Sequence, residues 1–395
     1  MTKMRGGDGT SPRDTSCGRR VMIVAGEASG DIYGAELVRE ALQLDPGLTF
    51  FGIGGIRMRE AGVETMVDSA EMAVMGLVEV FKHFGTIASA FLTLKKILFN
   101  TPPELLILID YPGFNLRLAK AAKKAGVKVL YYISPKVWAW KADRIRSIAA
   151  TVSRMAVIFP FEVPMYEAVG VPVTFVGHPL HDMVVSNVDS NSAAKSFGLD
   201  PSKKVIGLFP GSRRSEIERM LPTILSSARL LLQVYPETQF VLPLASTLRD
   251  EDVLPQLKAS GISAVITRER IHDLIRSCDA IISVSGTVTL EIALVGTPMV
   301  IIYKLAPLTY QIAKRLVHVT HIGLCNIVTG ETVATELIQD EATPQKIVEE
   351  IRRILDDEHR HSLICQKLAE VKSKLGCGGA SANVARLIPE LIGHT

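Results

Sequence analysis

Short apolar runs of strand length alternate with longer amphipathic stretches along most of the chain. The runs are apolar on both faces, whereas the stretches between them repeat their apolar residues with the period of a helix. Strands of this kind, separated by helices, predict a parallel sheet covered by helices on both sides. In the first half the predicted strands span residues 21–25, 48–53, 105–110, 127–133, 155–159 and 173–177.

The same alternation restarts after a segment, 181–204, that is rich in Ser, Asn and Asp and that we interpret as a linker. The predicted fold class is therefore α/β, with two Rossmann-like doubly wound domains, 21–180 and 205–375, that face a central cleft. Ligands of such sheets bind beyond the carboxyl ends of the strands. The predicted strands of the second half span residues 205–209, 239–243, 262–267, 280–284 and 299–303.

Composition limits the classes of protein that remain. The 395 residues are 47% hydrophobic with a net charge of +3, which excludes a disordered chain and a nucleic-acid-binding surface. No apolar run is long enough to span a bilayer. Residues 1–20 lack the apolar stretch of a signal peptide, so we expect a disordered leader. Five cysteines without a C-x-x-C pair suit a reducing compartment, which predicts the cytoplasm.

Three strand ends lead into turns that suit anions. In the first, "GEASGD", Ser29 and Asp31 are candidate helix caps beside the cleft, and the alternative is a turn with capping alone. In the second, Gly211 permits close approach, Ser212 can cap, and Arg213 can hold an anion. The alternative there is an ion pair of the arginine with a nearby glutamate. Neither turn matches a dinucleotide fingerprint or a Walker A loop.

The third turn is Ser285, Gly286 and Thr287, between an apolar run and a helix-like segment. Free N–H groups and the two free hydroxyls of such a turn can bind a phosphate or diphosphate without a metal. Glu291 lies one helical turn further on and can accept hydrogen bonds from a ribose diol. The alternative is a solvated glutamate in a first turn. The histidines lack metal-ligand spacing, so we predict neither a metal nor another cofactor.

Asp110 ends an apolar run, where partial burial would raise its pKa toward that of a general base, although it could instead cap the next helix. Downstream, Ser134 and Trp138 follow another strand, where a sugar or an acyl chain can pack, although core tryptophans are common. Residues 72–103 have an apolar helical face flanked by basic groups, which suits a membrane-facing segment or the mouth of a lipid-substrate pocket, and the alternative is the core packing of an ordinary crossover helix. The candidate membrane face is Leu77, Phe81, Phe84 and Phe91.

Taken together, these stretches resemble the lipid A disaccharide synthase family, glycosyltransferases of the GT-B type. The resemblance covers nearly everything after residue 20, with the segments in family order. It is carried by "GEASGD" at 26–31, "AVMGLVEV" at 73–80, "IDYPGFN" at 109–115, "YYISPKVWAWK" at 131–141, "FVGHPL" at 175–180, "PGSRRSEI" at 210–217, "SGTVTLE" at 285–291 and "AKRLV" at 313–317.

The resemblance implies an inverting transfer of 2,3-diacylglucosamine from UDP to the 6-hydroxyl of 2,3-diacylglucosamine 1-phosphate, at the inner leaflet of the cytoplasmic membrane. Asp110 matches the family's proposed base, and Arg213, Glu291 and Asn326 match positions associated with the donor and the cleft. His178 in "FVGHPL" joins Ser29, Asp31, Ser134 and Trp138 on the acceptor side of the cleft.

The resemblance further implies that the C-terminal helix, within 376–395, returns to the first domain. A homodimer formed by exchange of this segment is an open alternative. The chain departs from the family pattern at Gly113, where some relatives have a second aspartate, at Cys325, and at Glu331. Other functions that this architecture suits are a UDP-sugar 2-epimerase and a non-enzymatic, membrane-associated UDP-sugar sensor.

Overall fold

A computed structural model describes most of the chain. The described residues are 19–72, 77–140, 144–184, 186, 188–306, 309–311 and 320–393, with only the backbone for 77–84, 139–140 and 144. Most of the predicted leader, 1–18, therefore lies outside the described residues, as do the side chains of Leu77, Phe81 and Phe84.

The first half of the described chain forms a sheet of seven parallel strands in the order β3-β2-β1-β4-β5-β6-β7. Its central strands are buried on both faces, as their continuous apolar runs predict. Gly52 packs so closely on its neighbour that a Cβ would lie 2.1 Å from the carbonyl oxygen of Ile23. The strands are β1 Arg19–Ala25, β2 Leu48–Gly54, β3 Glu64–Asp68, β4 Leu105–Ile109, β5 Lys128–Tyr132, β6 Arg154–Val157 and β7 Val173–Phe175.

The second half forms a described sheet of six parallel strands in the order β10-β9-β8-β11-β12-β13. The fold class predicted from the sequence, two doubly wound α/β sheets, is thus confirmed. The strands are β8 Val205–Phe209, β9 Gln239–Pro243, β10 Ala264–Thr267, β11 Ala280–Val284, β12 Met299–Tyr303 and β13 Thr335–Ile338.

Helices cover these sheets, and within the described residues no helix is both long and apolar enough to cross a membrane. Short 3-10 helices span Pro160–Glu162, Asp250–Asp252 and Gln339–Glu341. The α-helices are α1 Ala28–Leu44, α2 Ile56–Glu60, α3 Ser69–Met72, α4 Leu77–Asn100, α5 Pro112–Lys124, α6 Val137–Trp140, α7 Arg144–Ala149, α8 Val163–Glu167, α9 Leu180–Met183, α10 Ser190–Ser196, α11 Arg214–Val234, α12 Leu254–Ser260, α13 Ile271–Arg276, α14 Val288–Val295, α15 Leu324–Thr329, α16 Pro344–Asp356, α17 Glu358–Lys374, α18 Ala380–Ala385 and α19 Leu387–Ile392.

The C-terminal segment packs on the first sheet. The carboxylate of Asp182 accepts hydrogen bonds from the amide of Gly379 at 2.8 and 2.9 Å, and the amide of His178 donates to the carbonyl of Leu375 at 2.9 Å. Helix α18 packs on α1, and α19 contacts β4 and β5. One hydrophobic cluster runs from β1 through β11 and α14 to α19, so residues of both halves share a core.

Candidate functional site

The strand order of each sheet reverses at one point, and the turns that follow the two strands beside that point form the candidate site. In the first sheet the order reverses between β1 and β4, and in the second between β8 and β11. Such reversal points leave a crevice at the carboxyl ends of the strands, where ligands of open α/β sheets bind. The turns after these four strands carry most of the residues predicted for the site.

Asp110 follows β4 directly and has a left-handed backbone, with φ of 44°, as does Tyr111 with φ of 46°. Such values are uncommon for residues other than glycine and need support from their surroundings. Here the carbonyl of Asp110 accepts hydrogen bonds from Asn115 Nδ2 at 2.8 Å and from the hydroxyl of Tyr131 at 2.7 Å. Helix α5 has no side-chain cap among the described residues, so the alternative that Asp110 is a helix cap is wrong.

The electrostatic surroundings of Asp110 suit a base. The pKa of its carboxyl group is raised to about 6, first by burial and then by the charge of Glu27, against the lowering effects of Lys136 and the amide of Tyr111. A carboxylate with this pKa is ionised at neutral pH yet accepts a proton more readily than an exposed aspartate. The sequence analysis predicted both the partial burial of Asp110 and its raised pKa.

The turn after β11 presents an open face to the crevice. Gly286 and Thr287 are exposed, and a Cβ added at Gly286 would meet no atom within 4 Å in the described structure. The amides of Gly286, Thr287 and Val288 have no acceptor among the described residues, which leaves them for a ligand, whereas the next two amides donate to carbonyls of the turn at 3.2 and 2.9 Å. The hydroxyl of Ser285, however, donates to the carbonyl of Ile322 at 2.8 Å. The expectation that both hydroxyls are free is therefore wrong for Ser285, which is held by the protein.

Glu291, on α14, is mostly buried rather than solvated. Its Oε2 lies 3.2 Å from Nε2 of His272 on α13, and about a fifth of each side chain is exposed, 22% and 19%. The sequence analysis did not single out His272, because its partner is 19 residues away and on another helix.

Tyr33, on α1, lies close to charges from both halves of the molecule. The pKa of its hydroxyl is raised to about 12, first by burial, then by the charge of Glu291 and then by that of Asp110. The phenol therefore stays neutral, and it is a hydrogen-bond donor close to both carboxylates. The sequence analysis missed Tyr33, since an aromatic residue in an amphipathic helix resembles any other core residue.

The first turn is built differently from the prediction. Helix α1 begins at Ala28, so neither Ser29, which is exposed, nor Asp31 caps it. The carboxylate of Asp31 is buried and instead accepts from the amides of Gly55, at 2.6 Å, and Met58, at 3.1 Å, at the start of α2. Asp31 thus joins two helices.

The turn after β8 already contains an anion, the carboxylate of Glu216. Its Oε2 accepts from the amides of Ser212 at 3.0 Å and Arg213 at 3.2 Å, and its Oε1 pairs with the Arg213 guanidinium at 3.0 Å. The alternative ion pair is thus present. Ser212 is not the cap of α11, because that position belongs to Arg213. Gly211, with φ of 104°, lies against Glu216, where a Cβ would be 2.4 Å from its carboxylate.

Asn326 is fully buried, and both ends of its side chain are occupied. Its Oδ1 accepts from the amides of Val333 at 2.8 Å and Ala334 at 2.9 Å, and its Nδ2 donates to Glu336 at 2.7 Å. The expectation that Asn326 reaches the cleft is therefore wrong, since its polar atoms bind the protein itself.

Two of the predicted acceptor-side residues are also buried. The hydroxyl of Ser134 lies 2.6 Å from that of Tyr166, and His178 accepts the amide of Leu180 on Nδ1 at 3.2 Å. Burial lowers the pKa of His178 to about 3, so the ring is neutral. The polar atoms of Ser134 and His178 thus have protein partners, and the place of both residues on the acceptor side of the cleft stays a prediction. Trp138 packs edge-on against Phe161, with ring centroids 5.5 Å apart.

Behind this loop lies Glu162, which the sequence analysis missed. Only 2% of the residue is exposed, and the pKa of its carboxyl group is raised to about 8 by burial, which outweighs the hydrogen bond that it accepts from the Phe159 amide at 3.3 Å. The neutral acid favoured at pH 7 can bind its neighbours without an unpaired charge. Glu162 thus supports the loop.

The candidate membrane helix α4 exposes a face that partly differs from the prediction. Phe91 packs against Phe114 with ring centroids 5.8 Å apart, so it belongs to the protein interior. Leu92 and Phe99 are the apolar side chains that are most exposed on the described part of α4, at 63% and 49%. Lys95 and Lys96 lie exposed between them.

The described residues contain no cluster of three or more His, Cys, Asp or Glu side chains that could hold a metal ion. The absence of a cofactor stays a prediction.

Comparisons with known proteins agree with the fold and identify the family. A family model described as "Lipid-A-disaccharide synthetase" matches residues 21–384. The lipid-A-disaccharide synthase of Trichlorobacter lovleyi is 65% identical over 374 residues, which cover 95% of this chain and 98% of that protein. A UDP-GlcNAc 2-epimerase from Neisseria meningitidis, solved with UDP-GlcNAc, has a TM-score of 0.62 at 16% identity and covers 94% of this chain and 98% of that one.

A protein named UDP-glucose: anthocyanidin 3-O-glucosyltransferase, solved with UDP, has a TM-score of 0.61 at 13% identity and covers 95% of this chain and 99% of that one. At such low identity these two structures show the GT-B fold alone, whereas the family model and the curated relative match nearly the full length. The chain therefore belongs to the lipid-A-disaccharide synthetase family of glycosyltransferases.

Proposed function

We propose that this glycosyltransferase joins UDP-2,3-diacylglucosamine to 2,3-diacylglucosamine 1-phosphate, giving a β-1,6-linked disaccharide 1-phosphate and UDP. The observation that carries the proposal is the position of Tyr33. Its ring packs on the hydrophobic cluster that both halves share, and the charges of a carboxylate from each half, Glu291 and Asp110, raise the pKa of its hydroxyl, which supports one crevice between the sheets. A donor held by one half would meet an acceptor held by the other there.

Asp110 is the general base of the proposed reaction. It takes the proton from the 6-hydroxyl of the acceptor, whose oxygen then bonds to the anomeric carbon of the donor. The bond from that carbon to the diphosphate breaks, and UDP leaves with the electron pair. A single displacement of this kind inverts the anomeric centre, from alpha in the donor to beta in the product. The raised pKa of Asp110, about 6, supports this role.

The turn of Ser285, Gly286 and Thr287 holds the diphosphate in this proposal. The free amides of Gly286, Thr287 and Val288 and the positive end of the α14 dipole stabilise the charge that develops on UDP. Glu291, fixed by His272, accepts hydrogen bonds from the ribose hydroxyls. Arg213 approaches the donor from the turn after β8, which requires its guanidinium to leave Glu216.

The acyl chains bring the substrates, and with them the enzyme, to the inner leaflet of the cytoplasmic membrane. Leu92 and Phe99 are seven residues apart on α4 and flank two exposed lysines, an arrangement that suits an anionic lipid surface. Phe81 precedes Phe99 by 18 residues, which is five helical turns, so its position extends the same stripe.

Vesicle sedimentation tests the membrane face. Replacing Leu92 and Phe99 with serine should reduce binding to vesicles that contain anionic phospholipid, since two exposed apolar contacts are lost. The matched control is Leu44→Ser, which removes an apolar side chain of similar exposure, 54%, from α1. Equal binding of the double variant and the control would refute this face.

The packing of the C-terminal helices is compatible with a monomer and with a homodimer. Helices α18 and α19 pack on the first sheet of their own chain. Exchange of these helices between two chains would make equivalent contacts, and light scattering distinguishes the two states.

The decisive experiment incubates the purified protein with both lipid substrates and looks for the disaccharide and UDP by mass spectrometry. A β linkage in the product, established by NMR, is expected for inversion. The protein should produce no epimer when it is given UDP-N-acetylglucosamine alone. Epimer formation without disaccharide would instead support a UDP-sugar 2-epimerase, and binding of UDP without either product would support a sensor.

A further inference from the structure

Glu336 lies on the edge strand β13, and its side chain is only 8% exposed. The carboxylate accepts three hydrogen bonds from one short stretch of chain. Oε2 accepts the amide of Ile322 at 2.9 Å, while Oε1 accepts the amide of Gly323 at 2.9 Å and Asn326 Nδ2 at 2.7 Å. A buried carboxylate with three donors fixes the segment that supplies them, because losing one acceptor would leave a buried N–H unpaired.

This segment is joined to the turn after β11. The carbonyl of Ile322 accepts the hydroxyl of Ser285 at 2.8 Å, and the amide of Ser285 donates to Ile302 on β12 at 3.2 Å. Gly323 has no room to shift toward the sheet, since a Cβ there would lie 2.3 Å from Cδ1 of Ile301 and 3.1 Å from Glu336. The path from Glu336 to Ser285 therefore consists of two short hydrogen bonds through one peptide unit.

We propose that Glu336 is a positioning residue for donor binding: it fixes the 322–323 peptide, which in turn sets the conformation of the Ser285–Thr287 turn. The inference rests on the proposed function, in which that turn holds the diphosphate. It assigns Asn326 a related role. Asn326 links α15 to residues 333–334 and to Glu336, and so keeps β13 in register with the segment that Glu336 holds.

Glu336→Gln tests the proposal, because the amide of glutamine keeps one acceptor oxygen and replaces the other with a donor facing a backbone N–H. We expect UDP binding, measured by calorimetry, to weaken by about 10-fold, with a similar rise in donor KM. The acceptor KM should not change. The rise of turnover with pH near 6, which we assign to ionisation of Asp110, should not change either. A general loss of structure would instead alter all these quantities together.

The control is Glu331→Gln, a nearby exposed glutamate whose partner is the surface residue Lys367 at 3.0 Å. It should bind UDP like the wild type. If Glu336→Gln does not fold, Ser285→Ala removes the last hydrogen bond of the path at a partly exposed site, and about 3-fold weaker UDP binding is expected. Unchanged UDP affinity in whichever of the two variants folds overturns the proposal.

Gly286→Asp separates this proposal from the function on which it rests. The added carboxylate would face the free amides of the turn, where nothing opposes it in the described structure. If it leaves UDP binding intact, the donor site itself is misplaced. If it abolishes binding while Glu336→Gln does not weaken it, only the role of Glu336 is refuted.

Discussion

The turns after β4 and β11 occupy equivalent places in their sheets but are built in opposite ways. The β4 turn has two left-handed residues, Asp110 and Tyr111, and is held from behind by Asn115 and Tyr131. The β11 turn ends in Thr287, whose backbone is helical with φ of −59°, and it is exposed at its tip.

In the proposed function, the difference corresponds to the charge that each turn binds or develops. A general base acts best when it is partly desolvated and fixed in direction, which accounts for the strained, buried backbone around Asp110. A diphosphate is large and already charged, and it needs several open donors rather than one oriented atom. If the proposed roles hold, two similar sheets acquire different chemistry from one turn each.

The largest effect is expected from Asp110→Asn, which keeps the shape of the side chain and removes the base. Turnover should fall by about 100-fold or more. UDP affinity should stay unchanged, because the turn after β11 is intact. Steady-state kinetics and calorimetry measure the two quantities. Glu104→Gln, an exposed acid just before the other end of β4, serves as the control and should retain activity.

The same substitution should stabilise the protein at pH 7.5. Because folding raises the pKa of Asp110 to about 6, the free energy of unfolding falls as pH rises between about 4 and 6. Removing the carboxylate abolishes a penalty on the order of a few kcal/mol above that range and changes little below it. A melting temperature at pH 7.5 that is lower than that of the wild type would contradict the burial of an ionised base.

A smaller loss, about 10-fold, is expected from Asn115→Ala. Its Nδ2 donates to the carbonyls of Ile109 and Asp110, so the variant frees the strained turn and lets the carboxylate change direction. Turnover should fall while UDP affinity is retained. The control is Asn383→Ala, which also removes an Nδ2 donor to a backbone carbonyl, that of Val176, in the C-terminal packing. Comparable losses of turnover in both variants would count against a specific role for Asn115.

How much of this contrast the sequence predicts depends on the kind of contact. Continuous apolar runs predicted β8, β9, β11 and β12 at their observed limits, because burial on both faces leaves a strong signal. The edge strands β3 and β13 were missed, since they are short, partly exposed and carry acidic residues.

Site residues divide in the same way. Asp110 was predicted correctly at a strand end with a raised pKa, because the position of a residue after a buried strand is a local property. Asn326, by contrast, binds Glu336 and residues 333–334, which no spacing rule connects to it. Tyr33 was missed because its role depends on a glutamate from the other half of the chain. Local geometry is therefore readable from sequence, whereas the direction of a polar side chain is set by tertiary contacts.

Tyr33→Phe tests whether the two turns act on one substrate. The variant removes a neutral donor near both carboxylates and keeps the ring, so kcat/KM should fall by about 5-fold. UDP affinity should change less than kcat/KM if the hydroxyl contacts the transferred sugar. Tyr235→Phe is the control, since that hydroxyl binds Asp356 on the surface. Equal kinetics of the Tyr33 variant and the wild type would show that the phenol only fills space.

The smallest effects at neutral pH, under 2-fold, are expected from charges around Asp110, and their opposite signs make them informative. The reaction needs the ionised carboxylate, so turnover should rise through a pH of about 6 and level off above it. Because Glu27 raises the pKa of Asp110, Glu27→Gln should move this midpoint to lower pH. Because Lys136 lowers that pKa, Lys136→Met should move the midpoint to higher pH.

Each pH profile is compared with its own plateau, so that a change in substrate binding does not mimic a shift. UDP affinity should not change through this pH range, because the turn after β11 binds the diphosphate through amides that do not titrate. Shifts of the same sign in both variants would mean that the midpoint belongs to another group, and the assignment of Asp110 as the base would then fail. Opposite shifts, together with UDP affinity that does not change over the same pH range, would locate the titrating group in the turn after β4 alone.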